Sequence, residues 1–382
     1  MIYLDHAAAT PLSEKAYKAM QDFWSKKFFN PSAAYLPAIE VRKEYEAAKD
    51  CIAHTIGAKG VDLVITAGAT ESINLAFSTV NDTKAEVLIS AVEHPSVYRT
   101  AQRFCNLKVI DVDKNGRINL NDLRQKLTDK TQFISICLAS SELGTLQPLA
   151  DAGRIVKEER KRRLLEGNNT PLYFHTDASQ GFGVLEVKVN RLGVDLLTLN
   201  SGKIYGPKGM GALYVGHNVK IQPFIRGGGQ ERGLRSGTEN VPAVIGFAKA
   251  AEEAEKHLHS EHKRLKNLKQ ILKRELADIE NIKFLGQDKN QLANFLPISV
   301  AGVDAERIIF LLEDKELYLS TGAACAANKR TISRTLQAIG LSDDEINGSL
   351  RLSLGKLNNE ENIKTAAKYI KEAIQSERTR LA

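Results

Sequence analysis

"LYFHTDASQGFGVLEVKVNRLGVDLLTLNSGKIYGPKGMGALYV", residues 172–215, contains three short apolar runs, "LYFHTD", "VDLLTL" and "GALYV", set between polar segments rich in glycine. Runs this short, built from leucine, valine and aromatic residues, are too brief for helices and read as buried strands. Upstream the pattern continues with helical stretches in between: "DLVIT" then "ESINLAFSTV", "EVLISA" then "PSVYRTAQRF", "KVIDV" then "LNDLRQKL", "FISICLA" then "ADAGRIVKEERKRRLL". Alternation of strand and helix over residues 61–215 predicts an α/β fold, a mainly parallel seven-stranded sheet with helices on both faces. In such sheets ligands bind at the carboxyl ends of the strands.

Downstream the pattern changes. Leu258, Leu265, Leu268, Leu272, Leu276 and Ile279 recur at spacings of three, four and seven, which predicts a long charged helix or helix pair over residues 244–279, with a domain junction near its middle. The remainder, with "LPISVAG", "ERIIFLLEDKELYLS" and "NIKTAAKYIKEAIQ", reads as a smaller α+β domain. A chain of 382 residues suits two domains, and the lack of a proline-rich linker predicts that they pack closely.

Composition narrows the function. At 43% hydrophobic and 26% charged the chain is an ordinary globular protein. The formal charge of +7 is diluted over its length, and the densest basic run, residues 154–163, also carries Glu158 and Glu159. It reads as the wet face of a helix, so direct nucleic-acid contact is not expected. No run of about 18 apolar residues spans a membrane, and "MIYLDHAAATP" has neither a basic nor an apolar leader region, which points to the cytoplasm. The four cysteines, Cys51, Cys105, Cys137 and Cys325, show no CxxC spacing, which argues against a zinc site or a dithiol pair; no metal is expected. Cys51 and Cys137 sit in apolar patterns as buried thiols, whereas Cys325 in "STGAACAANK" has small neighbours and no apolar periodicity.

Several polar segments follow strands, and their chemistry converges. In "TAGATESIN", Gly68, Ala69 and Thr70 stand between a strand and a helix, where backbone N–H groups and a hydroxyl can face an anion. The P-loop and dinucleotide fingerprints are both missing. Asp177 directly follows an apolar strand, where a carboxylate is costly unless it meets a cation, such as the protonated ring nitrogen of pyridoxal phosphate. His94 lies at another strand end and its flat ring suits stacking on an aromatic cofactor. Of the two lysines in "NSGKIYGPKG", Lys203 follows its strand immediately, whereas Lys208 lies past Pro207 in a turn that leads away to solvent. Only about one free lysine amine in 2,500 is neutral at pH 7, so a Schiff-base lysine needs a partly desolvated site. The sheet-edge Lys203 is the better candidate.

From "YLDHAAATP" to "SLRLSLGKL" the chain resembles the cysteine desulfurases, pyridoxal phosphate enzymes of fold type I and the class V aminotransferase group. The motifs run in family order over nearly the whole length: "NPSA", "GATESIN", "EHPSV", "SELGTLQPL", "HTDASQGFG", "KIYGPKGMGALY", "GGGQERGLRSGTENV", "STGAACAA", "AIGLS". The resemblance implies a large cofactor domain over residues 12–255, a small domain from residues 1–11 and 256–382 that carries the catalytic cysteine loop, and a homodimer. It implies that Lys203 holds the cofactor, Asp177 meets its ring nitrogen, Gln180 its phenolic oxygen and His94 its ring face. Gly68, Ala69 and Thr70 match the phosphate cradle, Thr238 a residue reaching the phosphate from the neighbouring subunit, and Arg351 the guanidinium that clamps the substrate carboxylate. Cys325 matches the nucleophile that takes sulfur from L-cysteine as a persulfide, leaving alanine. At an ordinary thiol pKa of about 8.5 only about 3% of it is thiolate at neutral pH, so it needs activation, for which His94 is a proton acceptor.

The chain departs from the family pattern at three places. Asn200 and Gly202 stand where a serine and a histidine are usual before the cofactor lysine, and Ser141, in "SSE", replaces the asparagine that faces cofactor and substrate. Asn200 retains an amide donor for the phosphate; Gly202 offers only its backbone N–H. Two further readings stay open at this point: a related lyase or aminotransferase, for instance acting on selenocysteine, and a weakly catalytic scaffold homologue. The sulfur acceptor, an iron–sulfur scaffold, a small carrier or a tRNA-thiolating enzyme, is not encoded in these motifs.

Overall fold

A computed structural model describes residues 1–80, 82–322 and 332–381. In chain order its strands are β1 (Ile2–Tyr3), β2 (Leu63–Thr66), β3 (Glu86–Ser90), β4 (Asn106–Ile110), β5 (Thr131–Ser135), β6 (Tyr173–Asp177), β7 (Leu196–Asn200), β8 (Gly211–Val215), β9 (Ile282–Phe284), β10 (Phe295–Val300), β11 (Leu317–Tyr318), β12 (Ser320–Thr321) and β13 (Ser349–Ser353). The main sheet has seven strands in the order β2-β8-β7-β6-β5-β3-β4. β4, β3, β5, β6 and β7 run parallel, while β8 is antiparallel to both β7 and β2.

Successive side chains in these strands enter different cores. Leu63, Ile65, Leu88 and Leu197 join one cluster with Tyr45, Ile52, Phe174 and Phe247. Val64, Val87, Ile89 and Leu196 join another with Ile73, Phe77, Val97 and Leu213. Burial of both faces explains the continuous apolar runs in the sequence. Helices Leu36–Thr55 and Leu149–Leu165 cover one face; Ala69–Phe77 and Pro95–Ala101 cover the other.

A second sheet, β12-β13-β10-β9, forms a separate core that includes Leu268, Leu272, Leu296, Leu350 and Ile370. The chain start belongs to it: β1 pairs with β11, Asp5 bridges to Ser353, and Leu4 is fully buried there. The long charged pattern is one continuous helix, Val241–Leu276, whose residues 241–251 reach the first core and 265–276 the second. No residue between 252 and 264 is buried. The boundary expected at residues 255 and 256 falls within that stretch.

The basic run is less wet than its composition suggests. Arg163 is 2% exposed and donates to the carbonyls of Thr131 and Thr128, so it ties its helix to the start of β5.

A buried polar knot joins three distant segments. Glu231 accepts from the Tyr45 hydroxyl at 2.5 Å, the Ile65 backbone N–H at 2.7 Å and the Lys49 ammonium at 3.1 Å. The side chains of Glu231 and Lys49 are each 5% exposed. Glu231 and Arg232 hold φ values of 48° and 61°, left-handed backbone that non-glycine residues rarely adopt. The knot holds that conformation in place and fixes the glycine-rich segment leading to Thr238.

Candidate active site

The ends of β2, β3, β6 and β7 open on one cavity of about 1590 Å³, larger than an ordinary small-molecule pocket of about 300–1,000 Å³. After β2 the backbone turns at Gly68, whose φ of 142° is accessible to glycine, and the helix Ala69–Phe77 starts there. A Cβ at Gly68 would meet no atom within 4 Å, so the cradle opens into the cavity. On its other side β8 presses close: a Cβ at Gly211 would lie 2.7 Å from the Gly68 carbonyl carbon. Thr70 is exposed at the cavity wall, and Glu71 in the same turn is paired with Arg235 at 2.9 Å.

Asp177, the last residue of β6, is 7% exposed and accepts one hydrogen bond from the Ser179 N–H at 2.9 Å. Asn200 ends β7, and its Oδ1 accepts from the Gly202 N–H at 3.0 Å. Lys203 lies in the short turn Ser201–Lys203 and donates to the carbonyls of Ala7 and, at 2.6 Å, Ala8. Gln180 donates to the same Ala7 carbonyl at 3.0 Å, so Gln180 and Lys203 converge on one point.

His94 precedes the helix Pro95–Ala101, and its Nδ1 accepts from the Ser96 backbone N–H at 3.2 Å. The neutral ring therefore carries its proton on Nε2. Burial is the largest influence on it and lowers its pKa; Asp177 opposes this, while Lys203 and Arg351 add to it. The side chain is thus a neutral imidazole at pH 7. Its only basic nitrogen is already engaged, which sets a cost on the proton-acceptor role expected from the sequence.

Arg351, on β13, is 6% exposed. It donates to Asp5 Oδ1 at 2.8 Å and to the Ser141 carbonyl at 3.1 Å, and its Nε–H has no hydrogen-bond partner among the described residues. A carboxylate thus already sits on the guanidinium fork, supplied by the chain start.

Thr238 is exposed and does not line this chain's cavity. Cys325 lies outside the described residues. Ile332 and Ser333, the first described residues beyond it, line the cavity, and the Ser333 hydroxyl donates to Glu142. Burial raises the Glu142 pKa, against the hydroxyls of Ser333 and Thr335. Lys208 departs from expectation: it is exposed, yet it borders the cavity, because its turn folds back over Gly202.

Two further groups carried no sequence signal beyond their neighbours. Glu93 is 8% exposed and borders the cavity; its Oε1 accepts from Ser90 Oγ and the Cys137 N–H, both at 2.6 Å, and its Oε2 has no hydrogen-bond partner among the described residues. Burial pushes its pKa up to about 8. Ser179 Oγ, also buried and without a hydrogen-bond partner among the described residues, borders the same space. Among the described residues no cluster of three or more histidines, cysteines or carboxylates is placed to hold a metal, and no helix is long and apolar enough to cross a membrane.

The donor set fits pyridoxal phosphate. An open glycine cradle at a helix start suits the phosphate, a buried carboxylate at a strand end suits a protonated ring nitrogen, and a lysine lines the same cavity.

Known proteins share the sequence pattern and the fold. The model of the family described as aminotransferase class-V matches residues 2–365. A protein named cysteine desulfurase IscS 1 from Archaeoglobus fulgidus is 37% identical over 372 residues, covering 95% of this chain and 94% of its own. Cysteine desulfurase IscS from Dictyoglomus turgidum is 37% identical over 387 residues, covering 99% and 95%. Among solved structures, a NifS-like protein superposes with a TM-score of 0.89 at 31% identity, over 98% of this chain and 99% of that one. A structure titled SspA in complex with cysteine gives 0.79 at 30% identity, over 93% and 99%.

Proposed function

Since the chain belongs to the class-V aminotransferase family and is a pyridoxal-phosphate-dependent cysteine desulfurase, we propose that its cavity takes sulfur from L-cysteine onto Cys325 and passes it to an acceptor protein. The observation that carries the reading is the convergence of Lys203, Asp177 and Arg351 on one cavity at the strand ends.

In this reading Gly68, Ala69, Thr70 and Asn200 hold the phosphate, Asp177 the ring nitrogen, His94 the ring face, and Gln180 and Ser141 the ring oxygen side. Bound there, pyridoxal phosphate supplies an electron sink for the bonds at the substrate Cα. Lys203, released from the Ala7 and Ala8 carbonyls, moves the Cα proton. Arg351 exchanges Asp5 for the substrate carboxylate, so the buried guanidinium keeps a counter-charge while the Asp5 carboxylate, at 17% exposure, gives up its own. His94 stays neutral and presents Nε2–H. Cys325, as thiolate, bonds to the substrate sulfur while the carbon–sulfur bond breaks; that bond's electron pair stays with the three-carbon remainder, which takes a proton at Cβ, regains one at Cα from Lys203 and leaves as alanine.

The wider proposal assigns residues 12–255 to the cofactor domain and 1–11 with 256–382 to the smaller one, as the two separate cores support. It also assigns a homodimer in which the exposed Thr238 serves the neighbouring site, a cytoplasmic location, and an acceptor in iron–sulfur cluster assembly or tRNA thiolation. Support for the acceptor comes from the IscS relatives.

The test is alanine and sulfide production from L-cysteine by the purified protein with cofactor and a thiol reductant, beside Cys325→Ala. Both products from the native protein and neither from the variant uphold the reading. Native protein that binds the cofactor but yields no alanine overturns it. Light scattering tests the dimer.

A further inference from the structure

Gly202 stands where the resemblance leads one to expect a histidine beside the cofactor lysine, and the structure shows what fills the space. A Cβ at Gly202 would lie 3.6 Å from Lys208 Cγ and 3.8 Å from Lys208 Cα, ordinary contact distances. The stem of Lys208 therefore lies directly across Gly202. Lys208 and Gly209 border the same cavity as Gly68, Thr70 and Asn200. Their turn leads into β8 at Gly211, the glycine that packs on the Gly68 backbone, so the turn sits on the cradle side of the site.

The two lysines of this loop are sorted by their surroundings. Lys203 is held toward the chain start by Ala7 and Ala8. Lys208 is exposed, and no carboxylate of the described residues pairs with it. Asn200 adds a second donor: with Oδ1 accepting from the Gly202 N–H, its Nδ2 is the atom left to donate.

We propose that Lys208 is a phosphate-binding cation of the cofactor cradle, admitted by Gly202, whose missing side chain lets the lysine stem cross to the Gly68–Thr70 end of the cavity. Lysine binds phosphate as a mobile point charge, which suits a donor arriving from a turn. The assignment rests on the cofactor reading above. It adds a group that the sequence pattern alone placed in solvent.

The test compares pyridoxal phosphate with pyridoxal, which lacks only the phosphate, as ligands of the full chain freed of cofactor. Binding is read from absorbance and fluorescence rather than from turnover. Lys208→Met keeps the stem and removes the charge. Its dissociation constant for pyridoxal phosphate rises about tenfold, the factor set by one modest ion pair, while that for pyridoxal stays unchanged. Lys208→Arg restores most of the loss, and the salt dependence of phosphate-ligand binding is shallower in Lys208→Met than in the native protein. Gly202→Val, which displaces the stem, reproduces the selective loss and adds little to Lys208→Met. Equal changes for the two ligands, or no change for either, overturn the assignment. A native chain that binds neither overturns the cofactor reading and this assignment with it.

Discussion

Replacing Glu231 by glutamine tests the buried knot that sets the glycine-rich segment before Thr238. The carboxylate receives donors on both oxygens, from Tyr45 on one and the Ile65 N–H on the other, with the Lys49 ammonium bridging the two at 3.3 and 3.1 Å. Glutamine keeps the volume but offers one acceptor and one donor. Either the Ile65 N–H or the Tyr45 hydroxyl then faces an N–H₂, and the Lys49 ammonium, 5% exposed, loses its close buried counter-charge and keeps, among the described residues, only the exposed Glu46 at 4.0 Å. Removing one partner of a buried pair costs about 3–5 kcal/mol. At about 2–4 °C per kcal/mol for a domain of this size, the low end alone lowers the melting temperature by roughly 6–12 °C. Differential scanning calorimetry or fluorimetry of native and Glu231→Gln protein reads this directly. Lys49→Met added to Glu231→Gln recovers part of the loss, because the uncompensated charge is gone. A fall below about 2 °C, less than the effect of one kcal/mol, would refute the argument that these charges are sealed from water.

Other outcomes follow from the site. Glu93, with its pKa raised to about 8, holds more protons folded than unfolded between its ordinary value and pH 8, so it subtracts stability as pH rises through that window. Chemical denaturation of Glu93→Gln at pH 5 and pH 8 therefore shows a smaller decline than the native protein; an unchanged decline places the titration elsewhere. Arg351→Lys loses the fork that spans Asp5 and the Ser141 carbonyl, and kcat/KM for L-cysteine falls about 10- to 100-fold, a loss of one charge-assisted contact worth about 1.5–3 kcal/mol. Steady-state kinetics within threefold of native would remove Arg351 from substrate binding.

The main sheet was legible because each strand is a short apolar run bounded by polar residues, and burial on both faces left no alternation to misread. The site residues at strand ends, Gly68, His94, Asp177 and Lys203, were legible for the same reason: a strand that ends on a polar group announces where the sheet edge lies. What stayed hidden depends on contacts between distant parts of the chain. Nothing near Arg351 indicates that Asp5, 346 positions away, occupies its guanidinium. Nothing near Glu231 indicates Tyr45 or Ile65. Lys208 was assigned to solvent from its position past Pro207, and it is exposed; the fold of the turn over Gly202, a matter of backbone path, brings it to the cavity wall. Glu93, beside His94, carries no mark in the sequence because burial, not residue type, makes it unusual.

The continuous helix Val241–Leu276 spans about 54 Å at 1.5 Å per residue. Its two ends are packed into different cores, while its middle is buried in neither and is held by polar contacts such as Lys188 with Glu255 and Arg264 with the carbonyls of Gly355 and Asn358, so it works as a beam between two supports. The two cores cannot swivel about a slack joint; any approach of one to the other has to flex the beam between residues 252 and 264. Deflections of a continuous helix are shallow, and small ones at the middle become larger displacements at the far end. The amide protons of that unburied span are the place where such bending would register first, as hydrogen exchange faster than at either clamped end.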